Sequence, residues 1–220
     1  MSLDIPIGVH PDKPLLRGWL HAAMFPAAVI GGVILLTVAG SPTSRTACAI
    51  FILTACLLFG ISAVYHIGRW KPRTKEVLRR LDHANIFLII AGTYTPLALL
   101  LLRQQSGTTL MWVTWSAAIA GITLQVLWPS APRWLSAPSY LAIGWAAVFF
   151  VPDFTATGRI PVLVLILLGG LAYSAGAIVY ARRRPDPWPR WFGFHELFHT
   201  LTLAGFTAHY AAVLLIVVQP

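Results

Sequence analysis

The chain has 220 residues, 57% of them hydrophobic and 10% charged, with a mean hydropathy of +0.73. A soluble domain carries about 25% charged residues, so a water-soluble fold is excluded, and the length accommodates roughly seven spans of ~20 residues with no room for a sizeable domain beside them. The net charge of +9 falls between apolar runs and not on one polar face, which argues against nucleic acid and for anionic lipid headgroups as partners.

Residues 1–18 read as a short cytoplasmic tail in which Asp4 and Asp12 balance Lys13 and Arg17. The first apolar run, Trp19 to Ala39, is too long for a signal-peptide core and lacks its basic leader, so it is expected to be a retained span. The second run, Thr46 to Ile67, holds the only cysteines, Cys48 and Cys56. Eight residues separate them, ~12 Å along a helix, which is too far for a mutual disulfide. This run closes on Ser62-Ala63-Val64-Tyr65-His66, and the third, His83 to Leu102, begins just after Asp82.

The fourth, fifth and sixth runs are Thr109 to Trp128, Leu135 to Val151 and Ile160 to Ala181, with Pro138, Pro152 and Pro161 near span ends. Missing backbone donors are tolerated there. The seventh run, His195 to Val218, opens with Phe194-His195-Glu196-Leu197-Phe198-His199. The fold class is therefore an all-α, seven-helix transmembrane bundle over residues 19–220, without internal repeats.

Seven spans put the two ends of the chain on opposite sides. The tail and the loops after spans two, four and six carry thirteen of the sixteen basic residues, leaving Arg45, Arg103 and Arg159 on the other side. The positive-inside rule then predicts a cytoplasmic N terminus and an outside C terminus. The basic loops are read as topology determinants that touch anionic lipid, without chemistry of their own.

Ionisable groups inside spans cost roughly 2.5 to 3.5 kcal/mol each on insertion scales, so each calls for an explanation. His195 and His199 stand at i and i+4 and share one helical face, where two imidazoles can hold one metal. Span two ends at His66, and spans three and seven begin near Asp82, His195 and His199, so alternating topology sets all four at one depth on the cytoplasmic side. Three histidines with a carboxylate nearby match a catalytic zinc site with an open position. His209, ten residues beyond His199, lies ~15 Å deeper and is expected to stand apart. Taken singly, His66 and His21 read as interhelical hydrogen bonders, Asp82 as a cap or a partner of Arg79 or Arg80, and Ser62 as bonded to its own helix.

Three neutral imidazoles leave zinc its full charge, which acidifies water toward a pKa of about 7. Asp82 is then the expected proton acceptor, Ser62 the orienting hydroxyl and Glu196 a reserve base. Adjacent helical residues point about 100° apart, so Glu196 is expected to face away from the ion.

Ser62-x-x-x-His66, Asp82, the stretch Ala91-Gly92-Thr93-Tyr94-Thr95-Pro96 and His195-x-x-x-His199 together resemble the hemolysin III family. That family is the bacterial branch related to the progestin and adipoQ receptors, including the adiponectin receptors, and more distantly to the alkaline ceramidases. The resemblance runs from about Trp19 to Val218. It implies a seven-helix bundle in the bacterial cell membrane, with zinc on His66, His195 and His199 near the cytoplasmic side and Ser62 and Asp82 around the metal water. The receptors have a longer N-terminal segment and an amide where this chain has Glu196. The expected activity is hydrolysis of a lipid amide or ester; the competing expectations are a receptor-like regulator of the membrane with a structural zinc and, ranked last, a pore.

Overall fold

The computed structural model describes residues 13–128 and 133–219, and of residues 133–137 the backbone alone. Residues 1–12 of the expected tail and the side chain of Arg133 lie outside the described residues. Among the described residues the fold is all-helical, with seven helices or helical stretches long and apolar enough to cross a membrane.

The first four crossings are α1 (Trp19–Val38), α2 (Pro42–Ile67), α3 (Pro72–Leu100) and α4 (Gln104–Leu127). Helix α2 starts four residues before the apolar run because Ser41 and Ser44 exchange side-chain to backbone hydrogen bonds of 3.1 and 3.0 Å, and Pro42 needs no donor in the first turn. Helix α3 starts eleven residues before its apolar run, at Pro72. Hydropathy marks only what lipid requires, whereas the charged stretch from Arg73 to Asp82 continues the same helix beyond it, with Glu76 bridging Arg79 at 2.9 Å and Arg80 at 3.1 Å.

The fifth crossing is a chain of three pieces: α5 (Arg133–Gly144), a 3-10 turn (Ala146–Phe150) and α6 (Val151–Ala156). The break is stabilised from its neighbours. The Tyr94 hydroxyl donates to Gly144 O at 2.6 Å and accepts the Ala147 N–H at 3.0 Å, while Trp145 Nε1 donates to Ser174 Oγ at 2.8 Å. Backbone groups freed from an α-helix inside a bilayer must find such partners. Helix α7 (Ile160–Arg182) and helix α8 (Phe194–Val218) complete the set.

Sequential helices pack side by side, α1 on α2, α2 on α3, α3 on α4 and α7 on α8, and α1 also touches α8, which closes the ring. Close crossings fix the register. A Cβ on Gly92 would stand 2.0 Å from Thr54 Oγ1, so only glycine lets α3 lie this near α2. Asn85 Nδ2 donates to Leu57 O at 3.1 Å across the same seam. Phe51, Phe59, Ile89, Phe206 and Val213 form the buried core among α2, α3 and α8. Ile30, Trp112, Ile119 and Phe149 keep 61 to 86% of their surface exposed, as lipid-facing side chains do.

Residues 13–18 do not hang free. Leu15 N–H and Leu16 N–H donate to Arg190 O at 3.0 Å and Trp191 O at 3.2 Å, which ties the start of the described chain to the α7–α8 loop. Gly18, at φ 86°, then turns the chain into α1 where a side chain would strike His66 Cβ at 2.8 Å.

Candidate metal centre

Helix α2 delivers His66 in its last turn, and α8 delivers His195 and His199 in its first two turns. Their donor atoms all lie within 4.8 Å of one another, and His66 Nε2 is 3.2 Å from His195 Nε2. Two nitrogens bound to one tetrahedral zinc at ~2.05 Å stand about 3.3 Å apart. A pair of imidazoles can also reach 3.2 Å by sharing a proton, but a third ring converging on the same point has no donor left to meet. His199 Nδ1 is buried without a hydrogen-bond partner, and the His199 ring lies among those of His21, His66, His195 and Phe198. Three imidazoles of this geometry fit a divalent ion such as zinc.

The carboxylate expected beside them is present. Asp82 Oδ2 lies 3.8 Å from His66 Nε2, and Ser62, 1% exposed, hydrogen-bonds the Asp82 carboxyl from the facing turn of α2. Asp82 is neither a cap nor an arginine partner: α3 starts ten residues earlier, and Arg79 and Arg80 are engaged by Glu76. Glu196 is turned elsewhere. Its carboxylate, 1% exposed, ion-pairs with Arg17 and accepts the Gly193 N–H at 2.8 Å, so it holds the start of α8 and the N-terminal segment together. Asp186 Oδ1 accepts the neighbouring Phe194 N–H at 2.8 Å, a second carboxylate at the same helix N-terminus.

His209 stands apart, with Nε2 3.1 Å from Ile166 O on α7. His21 is a part of the site that the sequence reading missed. It is 2% exposed and stacks on His199 with ring centroids 3.8 Å apart and planes 9° from parallel, while Phe59 meets its edge at 5.2 Å. Its position in the first turn of α1, at the depth of His66, is the signal that was available.

A cavity of about 460 Å³ reaches the histidines from inside the ring, a size typical of small-molecule sites. Its walls beyond Asp82 are mostly apolar, Ile86, Ile90, Leu97, Phe154 and Leu163 among them, interrupted by Thr93, Tyr94 and His209.

Against known families, residues 9–210 match the model for haemolysin-III related proteins. The chain belongs to the haemolysin III family. It is 33% identical over 175 residues to a hemolysin-3 homolog of Bacillus subtilis, covering 80% of this chain and 79% of that protein. It is 29% identical over 175 residues to Hemolysin-3 of Bacillus cereus, covering 80% and 77%. The likeness extends to a heptahelical transmembrane protein, ADIPOR2, of Oryza sativa subsp. japonica, 30% identical over 182 residues, with 74% and 79% covered. Bacterial relatives of this kind and seven apolar helices make this a multi-pass membrane protein of the hemolysin III type.

Proposed function

We propose that this haemolysin III protein is a zinc-dependent hydrolase that cleaves an amide or ester of a membrane lipid, with the centre on the cytoplasmic side of the bacterial cell membrane. The observation that carries this reading is the Asp82 carboxylate, hydrogen-bonded by Ser62, with Oδ2 3.8 Å from His66 Nε2 in a mostly apolar cavity. A metal held only for stability needs no carboxyl group beside it.

Zinc, when bound by His66, His195 and His199, supplies Lewis acidity, which acidifies water and polarises a carbonyl. The chain supplies the remainder. The Asp82 carboxylate accepts a proton from water and returns it to the leaving nitrogen or oxygen, and the Ser62 hydroxyl holds that carboxylate in orientation. The apolar walls hold the acyl chain and exclude bulk water. Thirteen of sixteen basic residues on one side support a cytoplasmic N terminus and an outside C terminus.

The test is fatty-acid release from ceramide-like and phospholipid substrates by purified protein with measured zinc content. Asp82→Asn should abolish release while about one equivalent of zinc remains. Release unchanged in Asp82→Asn, or absent across the substrate panel, overturns the hydrolase. The second result favours a structural zinc, a reading supported by one observation: the ligands come from α2 and α8, on either side of α1, so the ion ties the ring shut.

A further inference from the structure

Part of the cavity lies beyond anything the hydrolysis uses. Four cations, Lys13, Arg17, Lys75 and Arg79, line it, and Asp82 is the only carboxylate among its described lining residues. Arg17 is compensated by Glu196 and Arg79 by Glu76. Lys13 and Lys75 have no acidic group within ion-pair distance among the described residues. Burial, and then the like charges of Lys75 and Arg17, lower the Lys13 ammonium below the ordinary lysine range. Half-buried Lys13 and exposed Lys75 thus bring like charge to one cavity, which an anion would compensate.

Topology alone does not account for this gathering. Lys71, Arg73 and Arg182 satisfy the same charge bias without lining the cavity. Helix α3 adds the dimension that the loops lack. Lys75, Arg79, Asp82, Ile86, Ile89 and Thr93 all line the cavity, and their spacing of three and four residues makes one continuous stripe. Along it the cations come first, the proton-accepting carboxylate second, then two isoleucines, with Thr93 at the far end. Arg79 is ~4.5 Å and Lys75 ~10 Å from Asp82 by helical rise, the order and scale of phosphate, acyl carbonyl and hydrocarbon in a membrane lipid.

We infer that Lys13 and Lys75 bind the phosphate of a lipid headgroup at the mouth of this cavity, so that the substrate is a phosphate-bearing acyl lipid and not a neutral one. The inference rests on the hydrolase reading for the word substrate, and the apolar continuation of the stripe selects a lipid over free phosphate.

The experiment measures equilibrium binding to the full chain in uncharged maltoside micelles. Oleoyl lysophosphatidate should bind at least about tenfold more tightly than mono-oleoylglycerol, the scale of one charge-assisted contact. Lys13→Gln with Lys75→Gln should remove most of that ratio. Lys13→Arg with Lys75→Arg should keep it, as should the control pair Lys71→Gln with Arg73→Gln. Equal affinity for the two lipids, or a ratio that survives the double glutamine variant, overturns the inference. Displacement of the lipid by inorganic phosphate at the same concentration also overturns it, because the lysines would then serve a soluble anion. Turnover is not read here. An intact ratio without fatty-acid release counts against hydrolysis alone, and release without a ratio counts against the headgroup alone.

Discussion

Replacing Arg17 with Met removes the guanidinium from Glu196, a carboxylate with 1% exposure, while keeping a long apolar stem. Removing one partner of a buried ion pair costs about 3 to 5 kcal/mol, because the remaining charge can reach neither water nor a counter-ion. One Glu196 oxygen retains the Gly193 N–H at 2.8 Å, which sets the expected loss at the lower end, about 3 kcal/mol or roughly two decades in the folding equilibrium. Glu196→Gln should cost less, about 1 to 2 kcal/mol, since the amide still accepts the Gly193 N–H and the Arg17 side chain, 15% exposed, can reach water. The double variant should recover about 2 kcal/mol relative to the sum of the two losses. Denaturant unfolding of the four proteins of the cycle in micelles gives these values, with zinc content measured in parallel because His195 adjoins Glu196. An Arg17→Met loss below about 1 kcal/mol, or strict additivity, would refute the assignment of Glu196 to the N-terminal tether.

Free zinc at a hundredfold excess over its dissociation constant should stabilise the protein by about 2.7 kcal/mol, and chelation should lower the unfolding midpoint accordingly; in His195→Ala or His199→Ala the chelator should have no effect. Tyr94→Phe leaves Gly144 O and the Ala147 N–H without the hydroxyl they share and should cost about 2 kcal/mol, with faster hydrogen exchange confined to the fifth crossing. Gly169→Ala brings a methyl within 2.4 Å of the His209 ring and should destabilise by about 1 to 3 kcal/mol. Gly144→Ala, with nothing within 4 Å of the new Cβ, should stay within about 0.5 kcal/mol of the parent in the same assay.

Hydropathy found the crossings because a bilayer demands ~20 apolar residues at a time and enforces that demand on the sequence directly. Alternating direction then carried His66, Asp82, His195 and His199 to one depth, and the structure brings these four side chains together. Azimuth was not legible in the same way. Which face of α1 meets α8 depends on packing among small residues and rings, so the stacking of His21 on His199 was invisible although its depth was known. The break in the fifth crossing was hidden for a related reason. Pro138 and Pro152 permit an interruption, but its position follows from the Tyr94 hydroxyl on α3, fifty residues away from Gly144 in the chain. Charged extensions were missed at α3 because the apolar signal ends at the lipid, whereas the helix ends where its hydrogen bonds do.

The same distinction between depth and azimuth decides how the H-E-x-x-H spacing of α8 is used. Residues i and i+4 lie on one face, so His195 and His199 can meet one ion only if the residue at i+1 points about 100° away from it. Glu196 follows that rule and is taken by Arg17 and the Gly193 N–H, which leaves the place beside the histidines open to a group from another helix. Asp82 fills it from α3, held by Ser62 of α2. The carboxylate that neighbours the histidines in sequence therefore anchors the helix that bears them, and the carboxylate that neighbours them in space is the one to which the proposed hydrolysis assigns proton transfer. Loss of Glu196 should thus be read first in stability and metal retention, and loss of Asp82 in turnover.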